Sequence, residues 1–423
     1  MSFSFKDIEK SRNEYKFLDS LQSLQKGDTK DIMLLSLLEV TKGINNNFSE
    51  KQLLRIFEYV LNQHMKVGKL VLFRYESHWK CILHYGTTDE HKQIEIENDL
   101  LYLKSLTHTS KSLKAYLNVF STIIPVFHKS KPLAYLLIGD IHYDEKPEAF
   151  REKQIPFIEV LTNIIAVALE NKVLARERLK QERIRKELEL AGEMQALLIP
   201  STLPSNEYYE MAAIYRPNQE VGGDYYDFSE RRENELSMCI ADVSGKGVSA
   251  ALLMSNFQAN LRAIYRHTDN LIDMVTELNT AVMESARGER FITFFIGLYN
   301  KITRTFRYIN AGHNPPVLHH ADGAMLLKTG CPGLGMFESI PHIKEGVIQI
   351  PEGSTLVCYT DGIIELEDEL GKDFGVDGLT SVIDRYAYKS VDELNKLIFD
   401  HLDLHKGEGY FLDDVALFSC RFF

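Results

Sequence analysis

The chain has 423 residues, of which 44% are apolar and 26% charged, and its formal net charge is −12. This length exceeds one ordinary hydrophobic core, so we expect two globular domains and a connector. The acid excess disfavours nucleic-acid binding, because neutralising phosphates requires a basic surface.

The sequence carries no sign of export or membrane insertion. Its first residues are polar and lack a hydrophobic signal core. No apolar run approaches the roughly 18 residues that span a bilayer. The five cysteines are odd in number and far apart, which favours reduced thiols over a zinc knuckle or a disulfide framework. We therefore expect a cytoplasmic protein.

The N-terminal half predicts a polar helical segment over residues 1–30, followed by a mixed α/β domain over 31–172. Within that domain the periodicity predicts helices at 34–40, 53–65 and 150–171, and strands at 69–74, 79–85, 121–128 and 132–140. Ser-Thr-Ile-Ile-Pro-Val-Phe-His at 121–128, followed by Lys-Pro-Leu-Ala-Tyr-Leu-Leu-Ile-Gly at 131–139, resembles the central strands of a GAF domain. The resemblance implies a GAF-like sensor.

Residues 173–200 predict a charged helical linker. Five residues recur there in steps of 4, 3, 4 and 3, which is the spacing of a coiled-coil seam. They are Ile184, Leu188, Ala191, Gln195 and Leu198. Two interpretations remain open. The segment is either a single solvated helix or a parallel helical pair that makes the protein a homodimer and transmits a signal.

From residue 205 onward the sequence alternates strands with glycine-rich turns, and several aspartates fall at strand ends. Asp242 and Asp361 each end an apolar strand, while Asp413 and Asp414 precede another. Asp224 follows a Gly-Gly pair. Because the end of one antiparallel strand lies beside the start of its neighbour, we expect these carboxylates to gather at one edge.

Carboxylates held together repel one another unless cations lie between them. Their hard oxygen ligands select Mn²⁺ or Mg²⁺ over zinc or copper. Two such ions about 4 Å apart can lower the pKa of a water between them and neutralise charge on a phosphoryl group. A single Asp-Gly pair is usually only a turn, so the joint pattern carries this hypothesis.

Six segments in order resemble the PPM (type 2C) protein phosphatases, in particular the bacterial SpoIIE/RsbU-like branch. They read Glu-Val-Gly-Gly-Asp-Tyr-Tyr-Asp at 220–227, Ala-Asp-Val-Ser-Gly-Lys-Gly at 241–247, Phe-Ile-Thr-Phe-Phe-Ile-Gly at 291–297, Asn-Ala-Gly-His-Asn-Pro-Pro at 310–316, Tyr-Thr-Asp-Gly at 359–362 and Asp-Asp at 413–414. The resemblance implies a phosphatase domain over 205–423, folded as an α-β-β-α sandwich of two antiparallel sheets.

The resemblance also implies roles for individual residues. Asp242 matches the carboxylate that bridges two metal ions, and the Val243 carbonyl matches the adjacent main-chain ligand. Asp361 and Asp413 match ligands of one ion, and Asp224 matches an acid that holds an ion or its waters. Catalysis would depend on Asp242 and Asp361. Asp414 matches a motif position without an assigned ligand role.

The roles of three basic residues near these motifs are not assigned by the sequence. No arginine motif for phosphate binding is found near the start of the domain, where Arg216 is the nearest candidate. Lys246 lies in a Gly-rich turn and could contact substrate or be solvated. His313 could be catalytic or could order its loop.

Two functions are consistent with the sequence. The first is a metal-dependent protein serine/threonine phosphatase regulated by the N-terminal sensor. The resemblance implies a phosphorylated STAS-domain anti-sigma-factor antagonist, in a partner-switching pathway, as substrate. The alternative is a non-catalytic ligand-sensing scaffold with a degenerate phosphatase domain, which loss of the metal-binding acids would favour.

Overall fold

The computed structural model describes residues 29–88, 94–109, 115–141, 147–232, 234–407 and 409–423. Nearly all of the predicted helical segment at 1–30 lies outside the described residues. The chain divides into two compact units, Met1–Gln181 and Glu182–Phe423. In the described part of the chain, no helix combines the length and apolar content needed to cross a membrane.

The first unit is a five-stranded antiparallel sheet with helices against it. Its elements are α1 (Thr29–Asn45), α2 (Glu50–Tyr59, continued by a π-helical turn at Val60–His64), β1 (Val67–Tyr75), β2 (Trp79–Tyr85), α3 (Ile96–Asp99), β3 (Thr107–His108), a 3₁₀ turn (Ala115–Val119), β4 (Thr122–His128) and β5 (Lys131–Ile141). The strand order is β2-β1-β5-β4-β3. The two predicted strand pairs are therefore confirmed as antiparallel pairs.

Alternation along the central strands buries both faces of this sheet. Leu70 and Leu72 of β1 join the cluster formed with the helices, whereas Val71 and Phe73 join a second cluster on the opposite face. Successive strand side chains point to opposite faces, so a run of apolar residues fills both sides.

A single helix, α4 (Pro147–Ala196), includes the predicted helix at 150–171 and most of the predicted linker. Its C-terminal turn is tied to the second unit through Gln195, whose side chain is 7% exposed. The Gln195 amide donates to the Gly222 carbonyl at 2.6 Å and accepts from the Gly222 N–H at 3.1 Å. Gly192 packs so closely on the Glu220 carbonyl that a Cβ there would lie 2.0 Å from the oxygen. The last turns of α4 are thus part of the second unit, and Gln195 faces that unit.

The second unit contains two sheets and five helices in the described residues. Its strands are β6 (Tyr209–Arg216), β7 (Tyr225–Arg232), β8 (Glu235–Val243), β9 (Ile292–Asn300), β10 (Thr305–Ala311), β11 (Val317–His320), β12 (Gly323–Leu326), β13 (Gly330–Cys331), β14 (Gly346–Gln349), β15 (Thr355–Tyr359) and β16 (Val415–Phe422). Its helices after α4 are α5 (Val248–Ile264), α6 (Leu271–Ala286), α7 (Asp361–Ile364), α8 (Gly375–Tyr386) and α9 (Val391–Lys406).

The sheets have the orders β13-β10-β9-β8-β7, with β14 beside β10, and β12-β11-β15-β16-β6. Side chains that alternate along β16 pack on opposite faces of its sheet. Phe418 stacks on Tyr226 of the first sheet at 5.3 Å, whereas Val415 and Leu417 join the cluster formed with α8 and α9. On the first sheet, Tyr225 packs on Phe257 of α5. The layers are therefore helix, sheet, sheet and helix, as the resemblance implied.

Candidate active site

Two strand ends of the first sheet bring Asp224 and Asp242 together. Asp224 immediately precedes β7, and Asp242 is the penultimate residue of β8. Tyr225 pairs with Ala241 in the antiparallel register, which places the two aspartates opposite each other. Asp224 is only 2% exposed.

The second sheet supplies the remaining acids at the same edge. Asp361 begins α7 directly after β15, and Asp413 and Asp414 directly precede β16. The Thr360 hydroxyl joins the two sheets, since it donates to Asp224 Oδ2 at 2.7 Å and accepts from the Ala416 N–H at 2.9 Å.

We name the five carboxylates Asp224, Asp242, Asp361, Asp413 and Asp414 the acidic rim. Burial, and next the Asp242 charge, raise the pKa of Asp224 well above its usual value. Burial, followed by the charges of Asp361, Asp413 and Asp414, raises the pKa of Asp242 to about 7. Burial and then the Asp413 charge raise the pKa of Asp361 to about 6. Burial and mutual repulsion therefore disfavour the ionised form of these carboxylates in the absence of a cation.

Asp414 orders the loop that carries Asp224. Its two carboxylate oxygens accept backbone N–H groups from Asn218 at 2.8 Å and from Gly223 at 2.6 Å. Between them lies Gly222, where a Cβ would be 1.9 Å from the Tyr215 hydroxyl and 2.6 Å from Asp414. Only glycine fits at 222, so the Gly-Gly pair is explained by close packing beside the rim.

The carbonyl of Val243 lies beside the same loop. A Cβ built on Gly223 would be 3.1 Å from this oxygen. Val243 is buried at the end of β8, next to Asp242. The main-chain oxygen implied by the resemblance is thus close to the acidic rim.

Of the three basic candidates, Lys246 is at the rim. Its ammonium nitrogen lies 2.8 Å from Asp413 Oδ2 and donates to the Leu412 carbonyl at 2.6 Å. Arg216 instead places its guanidinium over the Phe399 ring at 4.6 Å and 3.8 Å from Asp403. The side chain of Arg216 therefore packs against α9.

His313 is buried in the loop after β10. Burial lowers the pKa of His313 to about 4, so the imidazole is neutral near pH 7. Its Nδ1 lies 2.9 Å from the Thr293 hydroxyl, and its backbone N–H donates to the Asn310 side chain at 2.8 Å. Thr293 pairs with Asp242 across β8 and β9. These contacts describe a residue that orders its loop beside the site.

The donor chemistry of the rim fits hard divalent cations. It offers carboxylate oxygen atoms, and burial together with mutual repulsion makes their ionised form unfavourable unless a cation lies between them. Among the described residues, no three His, Cys, Asp or Glu side chains are already closed into a metal-holding group. Bringing cations into the rim would therefore require the carboxylates to adjust.

Sequence reasoning overlooked three residues that organise this region. Thr360 bridges the sheets as described above. Asp227, 3% exposed, accepts from the Tyr225 hydroxyl at 2.5 Å and from Arg262 Nε at 2.9 Å. Arg262 also donates to the Leu198 carbonyl at 3.4 Å. Asp227 lies within a recognised motif, but its spacing from Arg262 gives no sign of their pairing.

Much of the C-terminal half of the chain matches a known protein family. Residues 232–423 match the family model described as stage II sporulation protein E (SpoIIE). The C-terminal domain is a SpoIIE-type PP2C phosphatase domain. It is the domain of a protein serine/threonine phosphatase, as the six motifs predicted.

Two named proteins and one solved structure illustrate what the chain is similar to. The chain is 29% identical over 243 residues to the phosphoserine phosphatase RsbU of Bacillus subtilis, covering 57% of this chain and 71% of RsbU. It is 23% identical over 393 residues to protein IcfG of Synechocystis, covering 86% of this chain and 60% of IcfG. The solved SiaA-PP2C domain of Pseudomonas aeruginosa superposes with a TM-score of 0.52 at 19% identity, covering 58% of this chain and 99% of that domain. This last likeness shows the shared fold.

Proposed function

We propose that the chain is a metal-dependent phosphatase that removes phosphate from serine or threonine of a partner protein in the bacterial cytoplasm. The observation that carries the proposal is the acidic rim, where burial, and next the mutual repulsion of carboxylates from two sheets, raise the pKa values of these carboxylates. Such an uncompensated cluster is costly to fold unless binding of cations offsets it.

In this proposal the side chains of Asp224, Asp242, Asp361 and Asp413, with the Val243 carbonyl, hold two Mn²⁺ or Mg²⁺ ions. When bound, the ions supply an activated water nucleophile and neutralise charge on the phosphoryl oxygens. The chain positions these ligands from both sheets. Asp414 fixes the 218–223 loop, and Thr360 orients Asp224.

The substrate we propose is a phosphorylated STAS-domain antagonist of an anti-sigma factor, in a partner-switching pathway. Support comes from the resemblance and from RsbU, a relative named as a phosphoserine phosphatase. Removal of the phosphate would free the antagonist to bind its anti-sigma factor.

We further propose that residues 31–172 are a GAF-like sensor and that 173–200 form a coiled-coil linker of a homodimer. The five-stranded sheet of order β2-β1-β5-β4-β3 and the division of the chain into two compact units support a separate N-terminal α/β domain. The Gln195 contact with Gly222 gives the linker a direct connection to the loop that carries Asp224.

The deciding experiment is hydrolysis of a phosphoserine peptide by the full chain, with Mn²⁺ and with a chelator. We expect turnover only with the metal. Metal-independent turnover would contradict the ligand assignment, and absence of turnover with both Mn²⁺ and Mg²⁺ would favour the non-catalytic scaffold. Deletion of residues 1–172 is expected to change the rate, and an unchanged rate would argue against regulation by the sensor.

A further inference from the structure

A cavity of about 400 Å³ opens beside the acidic rim. Its lining includes Lys246 and Asp413, which are in contact with each other, and the acids Glu365, Glu367 and Asp373. Lys246 is the only cation among the described residues that line it. A dianionic phosphoryl group entering this cavity is therefore repelled by most of the wall and attracted to Lys246.

The position of Lys246 is set by its neighbours. Its ammonium group has three protons, and Asp413 and the Leu412 carbonyl are its two close partners in the structure. Its side chain is 46% exposed, so a remaining proton is accessible to a ligand. The ammonium is thereby held near the proposed metal ligands while keeping capacity for one more oxygen.

The turn that carries Lys246 is itself fixed. Arg290 donates to the Ser244 carbonyl and, at 2.8 Å, to the Ser249 hydroxyl, so it holds both sides of the turn. Gly245 has a φ of +88°, and a Cβ there would lie 1.7 Å from Arg290 Nη1. The turn is consequently placed before any ligand arrives, which lowers the entropic cost of binding.

The nearby arginines are engaged elsewhere. Arg290 holds the turn, Arg262 pairs with Asp227, and Arg216 lies over Phe399. In the part of the chain that the structure describes, Lys246 is the basic side chain placed to meet a phosphate at this edge.

We propose that Lys246 binds the phosphoryl group of the substrate beside Asp413 in this cavity. The inference rests on the proposed phosphatase function and adds to it the residue that recognises the phosphate. Lys246 is then a specificity-determining residue, because its ammonium contributes binding of the dianion that the acidic wall alone would repel.

The experiment compares wild type with K246M, K246R and the control K396M, whose lysine is exposed on α9 and pairs with Asp392. With Mn²⁺ and a phosphoserine peptide, K246M is expected to raise KM by about 10- to 100-fold and to change kcat by less than about threefold, the range for one charged hydrogen bond. K246R should restore part of the affinity, and K396M should match wild type.

A second readout does not depend on turnover. Calorimetric titration of inorganic phosphate into the Mn²⁺-loaded full chain should show the same loss of affinity in K246M. If the wild type binds phosphate but hydrolyses nothing, the proposed function fails while the role of Lys246 is still measured. An unchanged KM and phosphate affinity in K246M would overturn the proposal. So would a tighter affinity for Mn²⁺ as the only change, which would mean that Lys246 merely neutralises Asp413.

Discussion

Two buried aspartates three residues apart, Asp224 and Asp227, have opposite surroundings. Both are almost fully buried, at 2% and 3% exposure. Asp227 receives hydrogen bonds from a tyrosine hydroxyl and from Arg262. Asp224 receives one from Thr360 and otherwise faces the charges of other aspartates.

The difference separates a carboxylate that stabilises the fold from carboxylates kept for a ligand. A buried charge is tolerated when a cation and hydrogen bonds compensate it. Asp227 has both within the chain. The acidic rim has fewer such partners, and this is the property expected of the metal site that we propose.

The largest expected effect is on catalysis. Asp242→Asn should lower Mn²⁺-dependent turnover by at least about 10³-fold, because the ligand that we propose lies between two ions would be lost. The metal-free variant should unfold at the same or a higher temperature than wild type, since one repelling charge is removed. Turnover and thermal unfolding of the same preparation would test both. Near wild-type turnover of this variant would contradict the proposed difference between the acidic rim and Asp227.

Asp227→Asn should instead lower the stability of the fold and have a smaller effect on turnover. We expect a loss of about 2 kcal/mol of unfolding free energy, less than for a fully buried pair because the Arg262 side chain is 47% exposed. Turnover at a temperature well below unfolding should fall by far less than in the Asp242 variant. Urea unfolding provides the measurement. Unchanged stability together with abolished turnover would place Asp227 in the catalytic machinery instead.

A third prediction concerns pH. The pKa values of Asp242 and Asp361 rise from 3.8 to about 7 and about 6 in the folded state, so the folded state binds more protons than the unfolded state between these values. Stability of the metal-free protein should therefore fall as pH rises from about 4 to about 7 and level off above. Thermal unfolding with a chelator across this range measures the slope, and Asp242→Asn should flatten it. An identical slope in both proteins would contradict the charge repulsion assigned to the rim.

Much of the fold could be predicted from the sequence, because the local periodicity and the order of the motifs indicated the same elements. Strand pairs such as 69–74 with 79–85 were predictable from alternation and a short connection. The gathering of Asp224, Asp242 and Asp361 followed from their positions at strand ends. The coiled-coil linker, the GAF identity and the metal ligands stay predictions.

Other features depend on long-range geometry that no local pattern encodes. Gln195 occupies a position of the predicted seam, yet its amide binds Gly222, 27 residues away. Arg262 reaches Asp227 only because α5 packs on β7. Arg216 was near in sequence to the motifs, but its side chain stacks on α9. In each case the partner is chosen by packing between elements.

The hydroxyl of Thr360 has one further consequence. Its single proton is directed at Asp224 Oδ2, because its own oxygen already accepts from the Ala416 N–H. One carboxylate oxygen of Asp224 is thereby held by the chain, which restricts rotation of the carboxylate. Exchange of threonine for serine at this position would preserve that restriction, whereas valine, equal in shape but without the proton, would let the carboxylate rotate and offer both oxygens.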